Sequence, residues 1–188
     1  MPGWAYDPGT DRPPDREPLK AVKKLVPLRF DGFVPADHSA FQYGLALHDG
    51  GFFWEAHEIW EAVWKAAPMN GRDRLALRAL IQIANAGLKQ RQARSRAAAR
   101  LIDEAKALLG ELIARGVAAE PESVAGRLRG DLLQEELQHG LKTCLAPLAR
   151  FFSSEKMKEN AWRCGFVAGR KEKLALLCIK RWMEAHGG

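Results

Sequence analysis

Nowhere in the chain do β-branched residues alternate with polar ones as they do in a half-buried strand, whereas from Ser39 onward apolar residues return at three- and four-residue steps. A chain patterned this way folds as helices, so the expected class is all-α. "DHSAFQYGLALHDGG" sets Ala40, Phe41, Gly44, Leu45 and His48 along one side, with Asp37 or Ser39 as N-cap and Gly50 and Gly51 as the stop. A second helix is expected from about Phe52 to Ala67, closed by Pro68. The turn "PMNGRD" follows, with Asn70 as cap for a third helix reaching about Gln92. A fourth runs from Ser95 to about Arg115, where Gly116 ends it. Asp131 caps a helix expected to continue through about Phe152, and two more stretches, 154–169 and 170–186, carry helical spacing.

Short connections between the first four helices favour antiparallel neighbours, and no sequence period marks a tandem array. The expected architecture is one irregular antiparallel helical bundle over residues 37–188, its C-terminal helices lying within 131–186. Residues 1–36 hold seven of the ten prolines and read as an extended Pro-rich N-terminal arm, either draped over the bundle or partly disordered. No apolar run approaches the roughly 20 residues that cross a bilayer, and the first residues lack a basic start with an apolar stretch, so a cytoplasmic protein is expected. Cys144, Cys164 and Cys178 form no CxxC pair and read as buried thiols.

The stretch "GFFWEAHEIWEAVWKAAP" (Gly51 to Pro68) combines three Trp, three Glu and one His. At about 100° per residue, Phe52, Phe53, Ala56, Ile59, Trp60, Val63, Trp64 and Ala67 share one broad apolar side. His57 lies at its edge, with Glu61, Glu58 and Glu55 continuing around the helix. Side chains three or four apart are surface neighbours, so His57, Glu58 and Glu61 can reach one ligand. Trp54 falls among the polar residues and either packs under the N-terminal arm, the preferred expectation, or marks a protein contact. In the next helix Leu77, Leu80, Ile81, Ala84 and Leu88 make an apolar face, and Arg74, Arg78, Gln82, Asn85 and Lys89 a polar stripe beside it. An antiparallel hairpin of the two would pair Glu58 or Glu61 with Arg78 or Lys89, with Gln82 and Asn85 bonding at the middle.

At these residues the sequence resembles the domain of unknown function 309 family of small helical proteins. The first motif is "GGFFWEAHEIWEAVW"; the second, Leu-Ile-Gln followed by small residues, is "LIQIANAG" (Leu80 to Gly87). The resemblance covers about residues 38–108, including "RAAARLIDEAKALL". Ala93 and Arg94 stand where relatives often have Gly-Asn, and Lys89 where they often have an aromatic residue or His. The resemblance implies an all-helical fold; the activity of the family is unsettled.

Charge is uneven within the formal net of +6: Arg72 to Arg100 holds eight Arg or Lys against one Asp, and Arg150 to Arg181 nine against three acids. No nucleic-acid recognition motif accompanies these runs, so nucleic acid is not the expected partner. A phosphate at Arg72, Arg74 and Arg78 would lack the Gly-rich strand-to-helix loop that usually supports one. "HEIWE" is not a zincin motif, because Glu61 stands where the second His belongs. "EELQH" gives Glu136 and His139 the spacing of a di-iron ligand pair, but a di-metal centre needs a second copy that the chain lacks. The expected function is a helical binding module in which Glu55, His57, Glu58, Glu61, Arg78, Gln82, Asn85 and Lys89 line a polar seam for a small ligand or a protein partner. The competing expectation is a metal-dependent or acid-base enzyme, with His57 and Glu61 as ligands of a divalent metal or Glu58 as general base.

Overall fold

A computed structural model describes residues 1–10, 12–116, 120–139 and 144–152. Among them the regular structure is helical: α1 (Glu17–Lys23), α2 (Ser39–Asp49), α3 (Phe53–Ala66), α4 (Arg72–Arg91), α5 (Ser95–Ala114), α6 (Val124–Arg127) and α7 (Gly130–Gln138), with a 3-10 turn at Ala149–Phe151. The fold is all-α, as the apolar spacing requires, and no described helix is long and apolar enough to cross a membrane.

The twenty-residue α4 packs against both α3 and α5, α2 covers the other flank of α3, and α7 lies on α5. Small residues make this possible. Ala76, Ala79, Ala84, Ala86 and Gly87 of α4 are buried beside Leu77, Leu80, Ile83 and Leu88, so neighbouring helices approach its backbone closely. A Cβ added at Gly87 would come within 2.9 Å of the Phe53 ring, and one at Gly44 would overlap the Trp60 indole. Trp60 is the largest fully buried side chain, and its Nε1 donates to the Phe41 carbonyl at 3.3 Å. Phe53, near the start of α3, meets Gly87 near the end of α4, while Arg74, near the start of α4, lies 4.1 Å from the ring centre of Trp64 near the end of α3. The hairpin is antiparallel.

Several boundaries differ from the sequence expectation. His38, not Asp37 or Ser39, caps α2, its Nδ1 accepting from the Ala40 N–H at 3.3 Å. Asn70 does not cap α4; it adopts φ 60°, and Gly71 takes the cap position without a side-chain bond. The arm carries α1, a seven-residue helix with Pro18 at its start, too short to persist alone in water. Packing stabilises it: Leu19 is buried in the common core, as are Phe30 and Val34 further along the arm. The helix expected through Phe152 stops at Gln138, with His139 as its C-cap. Later, Pro147 offers no N–H, and the amides of Leu148 and Ala149 donate to the Asp49 carboxylate at 2.6 and 3.2 Å. Phe151 and Phe152 then enter the core. The helices expected at 154–169 and 170–186, with Cys164 and Cys178, lie outside the described residues.

Candidate functional site

The acids of α3 each meet a different partner. Glu55 is fully buried, and its Oε1 accepts from the Tyr6 backbone N–H at 2.7 Å. The Tyr6 ring stands edge-on to Trp54 at 4.9 Å, so Trp54 does pack under the arm. Glu58 accepts from Lys23 of α1 at 2.7 Å, and Glu61 lies 3.2 Å from Lys65 on its own helix. None of these partners belongs to α4. Among the described residues the expected pairs of Glu58 or Glu61 with Arg78 or Lys89 do not form; the acids turn toward the arm and along α3.

The polar stripe of α4 is likewise divided. Arg74 stacks on Trp64 and donates to the Ala67 carbonyl at 3.0 Å. Gln82 reaches the other way, donating to Glu104 of α5 at 2.5 Å. Lys89 makes a long bond of 3.4 Å to Gln92. Arg78 is exposed and Asn85 half-buried, and neither side chain has a hydrogen-bond partner among the described residues. Arg72 donates to the Arg115 carbonyl, so Arg72, Arg74 and Arg78 point to separate surroundings rather than one phosphate.

Burial shapes the protonation of this region. Desolvation raises the Glu55 carboxyl above its ordinary value, opposed by the Tyr6 amide, its own backbone amide and the charge of Arg91. Desolvation lowers the His57 imidazole against the raising influence of Glu58 and Glu61, so a neutral ring is favoured. Glu55 Oε2 and His57 Nδ1 are buried without a hydrogen-bond partner among the described residues. The nearest Glu58 oxygen is 3.9 Å from that nitrogen, beyond hydrogen-bond reach. Among the described residues no group of three or more His, Cys, Asp or Glu side chains is arranged to hold a metal ion. Glu136 of "EELQH" meets Arg150 at 2.8 Å. Cys144 is buried, and its thiol is pushed up to about 11 by that burial.

Two acids that the sequence reading did not single out hold equally specific positions. Asp73, in the first turn of α4, is 5% exposed and accepts from the amides of Val34 at 2.7 Å and Ala125 at 2.8 Å. It thereby fastens the arm and α6 to α4. Burial raises its carboxyl, opposed by these amides and by the Ser123 side chain. Asp49 receives Leu148 and Ala149 as described above. Asp49 closing one helix and Asp73 opening another are common terminal residues, and nothing in their spacing announces a partner 99 or 52 residues away. A cleft of about 440 Å³ opens at the start of α4, lined in part by Arg72, Asp73, Arg115 and Glu120; no residue of the expected seam borders it.

Residues 41–101 match the family model described as Domain of unknown function (DUF309). The matched segment runs from the first turn of α2 into the second turn of α5 and covers about a third of the chain. Among curated proteins and solved structures nothing matches the chain.

Proposed function

We propose that the domain is a non-catalytic helical binding module that takes a small ligand or a protein partner on the outer polar face of α4 and the adjoining flank of α3. Arg78, Asn85 and Lys89 share one stripe roughly 16 Å long at 1.5 Å per residue, with His57 and Glu61 on the neighbouring helix. The observation that carries this reading is the contrast in commitment. Glu55, Glu58 and Gln82 are engaged by Tyr6, Lys23 and Glu104, whereas Arg78 and Asn85 have donors to spare. A ligand rich in acceptors, such as a carboxylate or an acidic peptide, complements that face.

The competing enzyme reading, with Glu58 as general base or His57 and Glu61 as metal ligands, must first displace Lys23 or supply further ligands. One set of measurements separates the two. Titration of isotope-labelled full-length protein with a small dicarboxylate and a short acidic peptide should shift the signals of Arg78, Asn85 and Lys89 with at least one probe. Arg78→Ala and Asn85→Ala should abolish the shifts at unchanged melting temperature. Stoichiometric metal in protein purified without chelator, lost in both His57→Ala and Glu61→Ala, would overturn the binding-module reading in favour of the enzyme.

A further inference from the structure

The segment Lys20 to Arg29 reads "KAVKKLVPLR", four cations and no acid. Two of the cations are engaged, Lys20 by Glu17 and Lys23 by Glu58. Lys24 and Arg29 are exposed and have no side-chain partner among the described residues. Between them Leu25 is 53% exposed and Leu28 104% exposed, so Leu28 projects without covering contact among the described residues. The loop is held at both ends. Leu25 and Val26 donate backbone bonds to Val22 and Lys23 at 3.0 and 3.2 Å, and the Phe30 amide donates to Ala66 at 2.9 Å. Phe30 is buried in the core. That last bond sets the loop beside the end of α3, where Pro68 joins Arg29 and Phe30 around a shallow cleft and the next residue, Met69, is 67% exposed. One exposed acid, Asp31, adjoins the loop and offsets part of its charge.

We propose that the loop Lys24–Arg29, together with Met69, docks the domain peripherally on an anionic lipid bilayer. A single exposed apolar residue is ordinary on a protein surface. A fixed loop that holds leucines away from the body between two unpartnered cations has a narrower use. Leu25, Leu28 and Met69 enter the headgroup boundary, and Lys24 and Arg29 meet anionic headgroups. Each such cation raises partitioning roughly fivefold, and stable attachment needs apolar and basic contributions together. Three side chains fall far short of the roughly 800 Å² per partner of a standard protein interface, and the cations would repel a second copy. The loop lies apart from the α4 stripe and stands or falls independently of the binding-module reading.

The test is cosedimentation of the full-length chain with vesicles of phosphatidylcholine alone and of phosphatidylcholine mixed with phosphatidylglycerol. The expected result is binding to the mixed vesicles only, weakened by salt. Leu25→Glu/Leu28→Glu and, separately, Lys24→Gln/Arg29→Gln should each reduce it about tenfold or more. Both variants should keep the wild-type melting temperature, since the altered side chains are exposed. No binding by the wild type, equal binding to both vesicle types, or undiminished binding by the variants would overturn the proposal. The last outcome would assign attachment to other basic residues, such as those of 153–188. Self-association that the leucine variant abolishes, without vesicle binding, would overturn it in favour of a second copy.

Discussion

At the scale of single residues, three acids of this domain fasten chain that is distant in sequence. Asp49, Glu55 and Asp73 each accept backbone amides from a segment distant in sequence. Such amides have no ladder of their own, and an unpaired buried N–H costs about 1–3 kcal/mol. Asp73→Ala is therefore expected to destabilise by about 3 kcal/mol, and Asp73→Asn, which keeps one acceptor oxygen, by clearly less; urea unfolding of the two variants measures both. Glu55 gives a pH signature. Its carboxyl is raised above the unfolded value of 4.5, so the folded state holds the proton more tightly. The associated stability is complete below the unfolded value and is lost as pH rises through the folded one. Glu55→Gln should remove that loss: wild type should weaken relative to the variant as pH rises above the unfolded value of 4.5, as unfolding free energies at several pH values would show. A parallel dependence in the two proteins would contradict the assignment. The acid content of α3 was plain in the sequence, but the choice of partner was not. Helical spacing says that Glu58 is near Glu61 and His57; it says nothing of Lys23, 35 residues away.

At the scale of elements, helices with long apolar faces were legible and those made by tertiary context were not. The bodies of α2 to α5 follow the three- and four-residue spacing closely, because burial of one face decides them. Helix α1 offers little beyond Leu19 and Val22 to form a stripe, and it exists by packing on α2 and α3. The expected extension of α7 failed because local apolar spacing carries no information about Asp49 receiving the amides of Leu148 and Ala149. Glycine inside a helix is another legible signal with a tertiary cause. Ala is favoured over Gly by about 1 kcal/mol in an exposed helix interior. Gly44→Ala should nevertheless destabilise this protein by about 1–3 kcal/mol, because its methyl would collide with the buried Trp60 indole. A gain in melting temperature for this variant would mean that α2 and α3 do not approach as closely as described.

At the scale of the molecule, the segment that matches the DUF309 model supplies the antiparallel helices, and the flanking chain completes their core. Leu19, Phe30 and Val34 enter from the N-terminal side, and Leu148, Phe151 and Phe152 from the C-terminal side. The carboxylates of α2, α3 and α4 lock those flanks in register. This division explains why the helical bundle could be read from residues 38–108 while the seam could not be assembled from them: Tyr6 and Lys23, which engage Glu55 and Glu58, lie in the arm. The central claim is that these carboxylates fasten the flanks, and amide hydrogen exchange tests it most directly. In wild type the amides of Tyr6, Val34, Ala125 and Leu148 should all be protected. Glu55→Ala should release Tyr6 alone and Asp73→Ala should release Val34 and Ala125, with the interior amides of α4 still protected in both. Rapid exchange of these four amides in the wild type, or protection that survives loss of the carboxylates, would contradict the claim.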